Sequence, residues 1–76
     1  AYQVRSVLEQ LAAELSAPSF RGNTAELELE LEGFIQAAKD RDVKLYSTRD
    51  MEFHRTIVNA SGNQLLINMW NSVVLE

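Results

Sequence analysis

The most informative stretch of the sequence is Asp50-Met-Glu-Phe-His54, followed by Ala60-Ser-Gly-Asn63. At about 100° per residue, an α-helix places His54 only about 40° from Asp50, on the same face. Apolar residues recur along that face, so the segment predicts an amphipathic helix whose inner face also carries an acid and the chain's one histidine. Because buried polar groups are costly unless they are paired or bound, this pair requires a partner.

Residues that favour the ends of helices divide the chain into four predicted helices. Pro18 closes the first helix, and residues 19–23 form a predicted connector that contains Gly22. Gly62 is placed to end the third helix. Three residues can cap a helix N-terminus because a side-chain oxygen can accept a backbone N–H, namely Asn23, Asp42 and Asn63. The predicted helices run from about Tyr2 to Ser16, from Asn23 to about Lys39, from Asp42 to about Ala60, and onward from Asn63.

Apolar residues at helical spacing predict which faces are buried. Leu29 lies off its stripe and is expected to point away from the core or toward another subunit. Short connectors favour antiparallel packing, so the predicted fold class is all-α, an antiparallel bundle with four helices in this chain. The predicted stripes are Val4, Leu8, Leu11, Leu15 with Ala12; Leu27, Leu31, Phe34, Ile35, Ala38; Val43, Tyr46, Asp50, Phe53, His54, Ile57; and Leu66, Met69, Trp70, Val73.

Composition limits the function classes. The chain has 76 residues, of which 46% are hydrophobic and 24% charged, which indicates one small globular domain or part of a larger one. It has no Cys and a net charge of −4, without a basic stripe, so we do not expect it to contact nucleic acid directly. No signal segment or long apolar run is visible, and we expect a cytoplasmic location.

Asp50 and His54 are a candidate metal pair. Residues four apart are neighbours on a helix surface, and a carboxylate with a neutral imidazole suits zinc, nickel or manganese. Further ligands within the chain must be oxygen donors, since it has no Cys and no second His. The alternative is a structural hydrogen bond between the two side chains, with nothing bound.

Three separated elements together resemble the FCD domain, the effector-binding domain of one branch of GntR-family bacterial transcription regulators. They follow one another with suitable gaps over nearly the whole chain. They are Val4-Arg5, Leu8-Glu9, Leu11-Ala12-Ala13 and Leu15 in the first helix; Asp50-x-x-Phe53-His54; and Ser61-Gly62-Asn63-x-x-Leu66.

The resemblance implies a bundle of six or seven helices around a cavity, in which an Asp and three His hold a divalent metal. Asp50 and His54 match the first two ligands, and the other two belong to helices beyond this chain. We therefore expect residues 1–76 to be the N-terminal part of the domain, without its last helices and without the winged-helix DNA-binding domain. The implied protein is a homodimeric regulator, not an enzyme. A small organic acid or related metabolite would bind near the metal and control DNA binding allosterically.

Three further residues are candidates for effector binding. Arg5 lies on the shoulder of the first apolar stripe, where a guanidinium can hold a carboxylate through two hydrogen bonds. Its alternative is a surface arginine that covers Leu8 or pairs with Glu9. Tyr46 and Ser47 flank Asp50 and can donate hydrogen bonds to a ligand, although Tyr46 also suits core packing.

Two other classes stay open from the sequence. The first is a small metal-dependent enzyme in which Asp50 and His54 are ligands and a Glu is the base; no nucleophile or oxyanion donor accompanies them. The second is a stand-alone helical interaction or dimerisation module in which Asp50 and His54 form a structural pair. That module predicts no change in melting temperature with divalent metals.

Overall fold

The protein is an all-α helical bundle. The computed structural model describes residues 2–74, with side chains from residue 3 onward. Those residues form four α-helices and no strand. The helices are α1 (Tyr2–Ser16), α2 (Ala25–Lys39), α3 (Val43–Ala60) and α4 (Gln64–Val74), with a short 3-10 helix at Ala17–Phe20.

Four of the five predicted helix boundaries agree with the structure, namely those marked by Pro18, Asp42, Gly62 and Asn63. The Asp42 carboxylate accepts the Leu45 backbone N–H at 3.0 Å, and the Asn63 side chain accepts that of Leu66 at 3.1 Å. Gly62 has φ +71°, the left-handed conformation that ends a helix without steric cost to glycine. These caps confirm the predicted starts of α3 and α4 and the predicted end of α3.

The start of α2 differs from the prediction by one residue. Thr24, not Asn23, occupies the N-cap, and its hydroxyl donates to the Glu28 carboxylate at 3.2 Å. Asn23 accepts the Ala25 backbone N–H at 3.4 Å from one position further out. Pro18, predicted to close the first helix, lies in the 3-10 helix that follows α1, where its fixed φ and missing N–H are tolerated.

The core lies between α1, α3 and α4. Its buried members come from all three helices, and Trp70 is the largest fully buried side chain among the described residues. Ala12 of α1 belongs to this core, and Ser16, one turn further along α1, is also buried. The core cluster is Leu8, Ala12, Val58, Leu66 and Trp70.

Several residues predicted to be buried are exposed. The buried line of α1 runs through Leu8, Ala12 and Ser16, so Leu11 and Leu15 lie outside it. On α2 the buried residue is Ala37 and not Ala38. The other exposed members of the predicted stripes are Val4, Leu31, Ile35, Val43, Tyr46 and Met69, whereas Leu29 is exposed as expected.

The flat shape of the bundle explains this difference. Its Cα trace measures 35 × 34 × 15 Å. Because Cα atoms lie about 2.3 Å from a helix axis and packed axes are about 8–10 Å apart, the short dimension holds no more than about two helices. Helix α3 contacts α1, α2 and α4, and α1 also contacts α4. A helix in such a thin layer buries its sides against neighbours and leaves apolar residues on the broad faces uncovered.

Helix α2 joins the layer through α3. The Phe34 ring lies against the Tyr46 ring, with centroids 4.5 Å apart. Further along, the Thr56 hydroxyl donates to the Glu30 carboxylate at 2.7 Å. None of the helices in residues 2–74 combines the length and apolarity needed to cross a membrane.

Two adjacent leucines on α4, one buried and one exposed, allow the position of the core to be tested. Leu66 is 3% exposed and Leu65 is 69% exposed. We expect Leu66→Ala to lower the free energy of unfolding by about 2–5 kcal/mol, because it leaves a cavity in the core. Leu65→Ala should change it by less than about 0.5 kcal/mol. Urea denaturation of the intact protein measures both, and equal losses would place the core elsewhere.

Candidate functional site

Four polar side chains meet where α1 packs against α3. Arg5 and Glu9 lie one turn apart on α1, and Asp50 and His54 lie one turn apart on α3. All four are partly buried. The structure therefore brings together three residues singled out from the sequence, Arg5, Asp50 and His54, and adds Glu9 to them.

The hydrogen bond of His54 fixes which of its ring nitrogens carries the proton. Nδ1 lies 2.8 Å from the backbone carbonyl oxygen of Asp50, and a carbonyl oxygen can only accept. In this contact Nδ1 is the donor, so the neutral ring keeps its lone pair on Nε2. The Asp50 carboxylate lies on the Nδ1 side, with Oδ1 3.4 Å from that nitrogen.

Arg5 lies between the two carboxylates. Its Nε donates to Glu9 Oε2 at 3.0 Å, and its Nη2 lies 3.6 Å from Asp50 Oδ2. The pairing with Glu9 was the alternative that the sequence left open for Arg5. The contact with Asp50 shows that this pairing also keeps the guanidinium beside the Asp50–His54 pair.

Glu9 is the residue that sequence reasoning missed as part of the site. Its Oε2 also accepts the indole N–H of Trp70 at 2.9 Å, and its Oε1 lies 3.8 Å from His54 Nε2. Only 17% of its side chain is exposed. The four-residue spacing from Arg5 was a signal for the ion pair, but no sequence pattern pointed to Trp70 or His54 as its neighbours.

Tyr46 and Ser47 lie about one turn before Asp50 on α3 and have other neighbours. Tyr46 packs against Phe34 of α2. Ser47 lines an open surface depression of about 630 Å³, whose lining includes neither Asp50 nor His54. The structure thus places both residues on α3, as the sequence predicts, but in surroundings different from those of the cluster.

The donor atoms fit part of a metal site. A metal-binding histidine commonly donates its second ring nitrogen to a carbonyl or carboxylate, and His54 does so toward Asp50. Its Nε2 and the Asp50 carboxylate are ligand types that suit a divalent cation, although in this structure the carboxylate lies on the Nδ1 side of the ring. Among the described residues, however, no group of three or more His, Cys, Asp or Glu side chains is arranged to hold a metal.

Comparison with known families classifies the chain. Residues 1–76, the whole sequence, match the FCD domain. The chain belongs to the FCD domain family. It is also 29% identical over 76 residues to a protein of Paenarthrobacter nicotinovorans described as a probable D-xylose utilization operon transcriptional repressor. No solved structure matches the chain.

These matches point to a regulator and not to an enzyme. The alignment covers all of this chain but only 34% of the repressor's length. This FCD domain sequence thus spans about a third of the regulator that it resembles.

The pairing of Arg5 with Glu9 can be measured as a coupling energy. We expect Arg5→Met and Glu9→Gln to be non-additive by about 0.5–1 kcal/mol, because each single change already removes the partly buried ion pair. Urea denaturation of the intact protein, both single variants and the double variant gives this coupling. Strict additivity would mean that the two side chains do not interact in solution.

Proposed function

We propose that this chain is part of the effector-sensing domain of a GntR-family transcription regulator. A small organic acid or related metabolite binds near a divalent metal and changes how the regulator binds DNA. DNA contact is made by a winged-helix domain outside this chain, in a homodimer.

The juxtaposition of Arg5 with the Asp50–His54 pair is the observation that carries the proposal. The Asp50–His54 pair, to which the proposal assigns the metal, and a guanidinium lie within one cluster, with Arg5 Nη2 3.6 Å from Asp50 Oδ2. Such a cluster offers a metal ligand set on one side and a carboxylate-binding group on the other. The repressor relative, whose described role is in a D-xylose utilization operon, is consistent with a metabolite-responsive regulator.

His54 Nε2 and the Asp50 carboxylate are the groups of this chain that would hold the metal. When bound, the ion supplies a concentrated positive charge that attracts an anionic effector. The remaining ligands would come from helices outside residues 1–76. The hydrogen bond from His54 Nδ1 to the Asp50 carbonyl keeps Nε2 in its acceptor form and fixes the ring direction.

The regulatory step requires an effector that binds one arrangement of the bundle more tightly than another. The cluster is suited to such a role because it joins separate helices through side chains. Arg5 of α1 contacts Asp50 of α3, and Glu9 of α1 contacts Trp70 of α4. An anion that draws Arg5 away from the carboxylates would alter the contacts between α1 and its neighbours.

Removal of the imidazole tests the metal assignment. We expect His54→Ala in the intact protein to lower the bound metal by about tenfold or more, because a first ligand is lost. The circular dichroism spectrum should stay helical, since His54 lies outside the buried core cluster. Metal content is measured by inductively coupled plasma mass spectrometry after dialysis.

Asn59→Ala is the matched control, since Asn59 is exposed on the same helix. It should retain the metal content of the unchanged protein. Equal metal content in His54→Ala and Asn59→Ala would exclude His54 as a ligand.

Replacement of the guanidinium tests the effector assignment. We expect Arg5→Lys to weaken the response of DNA binding to small organic acids by about tenfold, because lysine keeps the positive charge but cannot form a bidentate hydrogen bond to a carboxylate. Arg21→Lys, at an exposed arginine in the connector, is the control. Fluorescence anisotropy of operator DNA, titrated with a panel of small carboxylates, gives the midpoint of release. An unchanged midpoint in Arg5→Lys would remove Arg5 from the effector site.

A helical interaction module is the second candidate. The observation in its favour is that the cluster's charged groups lie against one another, with hydrogen bonds from Arg5 to Glu9 and from His54 to the Asp50 carbonyl and a close approach of Arg5 to the Asp50 carboxylate. In that case divalent metals should leave the melting temperature of the intact protein unchanged. A rise in melting temperature that is lost in His54→Ala would decide for the sensor.

A further inference from the structure

We propose that Glu9 is a positioning residue of the metal and effector site, and that Trp70 of α4 holds it in place. The inference rests on the proposed function and deepens it, because it extends the site from α1 and α3 to a third helix. It assigns Glu9 and Trp70 no direct contact with the effector.

Trp70 is the rigid residue from which the contacts to Glu9, and through Glu9 to Arg5 and His54, begin. Its side chain is fully buried in the core of α1, α3 and α4. The Arg55 guanidinium lies over its ring, 5.7 Å from the centroid, which further restricts the indole. A buried indole N–H requires an acceptor, and Glu9 Oε2 provides it at 2.9 Å. The position of the Glu9 carboxylate is therefore tied to the core and not to solvent.

The same oxygen directs Arg5. Glu9 Oε2 accepts Arg5 Nε at 3.0 Å while it accepts the indole N–H. Because a guanidinium is planar and its donors are fixed relative to one another, a bond at Nε determines where the two Nη groups point. One of them, Nη2, then lies beside Asp50. Glu9 thus presents the anion-binding end of Arg5 to the Asp50–His54 pair.

The second oxygen of Glu9 acts on His54. Oε1 lies 3.8 Å from Nε2, and both atoms are acceptors when Nδ1 is the donor to Asp50. No proton joins them in that tautomer, so their approach is unfavourable until a positive charge is present. The Glu9 carboxylate consequently adds negative charge beside the nitrogen that would bind the cation. This arrangement favours a metal on Nε2.

A purely structural hydrogen bond between Glu9 and Trp70 makes a different prediction. Its loss would lower the melting temperature but leave the affinity of the folded protein for a metal unchanged. Metal affinity therefore distinguishes positioning from packing.

The experiment measures Zn²⁺ affinity of the intact, metal-free protein by competition with a chelating dye. We expect Glu9→Gln, which keeps the size of the side chain but removes its charge, to weaken Zn²⁺ binding by roughly 10–100-fold. Trp70→Phe keeps an aromatic ring in the core but removes the N–H, and should weaken binding by at least about fivefold for the same reason. The visible absorption bands of the Co²⁺-loaded protein should change in both variants.

Two matched control variants distinguish the positioning role of Glu9 from general effects of a lost charge or a lost hydrogen bond between helices. Glu14→Gln removes an exposed carboxylate from the same helix. Glu30→Gln weakens a second hydrogen bond between helices, which the Glu30 carboxylate of α2 accepts from the Thr56 hydroxyl of α3. Both controls should keep the Zn²⁺ affinity within about twofold of the unchanged protein and leave the Co²⁺ bands in place.

The outcomes separate this inference from the proposed function. If His54→Ala abolishes Zn²⁺ binding while Glu9→Gln and Trp70→Phe bind as tightly as the unchanged protein, the positioning role is wrong and the proposed site stands. If His54→Ala leaves Zn²⁺ binding unchanged, the proposed metal site fails, and the inference fails with it. Should Glu9→Gln not fold, Trp70→Phe decides: weaker binding supports the positioning role, and unchanged binding overturns it.

Discussion

The hydrogen bond from Trp70 to Glu9 connects the hydrophobic core to the polar cluster. An indole N–H buried without an acceptor would cost free energy, and a carboxylate near the core needs donors for the same reason. Each satisfies the other at 2.9 Å, and the bond joins α4 to α1 at the edge of the hydrophobic core. Arg5 and His54 are then placed around the same carboxylate. Core packing and the polar cluster are therefore parts of one arrangement.

The cluster lies at the contacts between helices of a thin, open bundle. In a layer 15 Å thick, helices touch along their sides, and polar contacts across those sides are sensitive to small shifts. Arg5 spans the contact between α1 and α3, and Glu9 spans the contact between α1 and α4. A sensor requires groups whose contacts differ between two arrangements of a fold. In the proposed sensor, a cluster shared by three helices is where such a difference would be expressed.

Family membership and local chemistry support the proposed function in different ways. The match to the FCD domain covers the whole chain, and the relative is described as a transcriptional repressor. Neither identifies a metal or an effector for this chain. The support for those comes from the tautomer of His54, which leaves Nε2 as an acceptor, and from the guanidinium of Arg5 beside Asp50. Among the described residues no group of three or more His, Cys, Asp or Glu side chains is arranged to hold a metal, so within them the proposed site draws on Asp50 and His54.

The sequence by itself determined the helices and the Asp50–His54 spacing, because both depend on interactions between residues close in the chain. Caps such as Asp42 and Asn63 and the turn at Gly62 act over three or four residues, so their effect can be read locally. Only the tertiary structure decided that Leu11 and Leu15 are exposed and that Glu9 joins the site. Glu9 and Trp70, which form a hydrogen bond at the site, are 61 positions apart in the sequence. Helical periodicity identifies an apolar face, but the packing of the other helices determines which part of that face is covered.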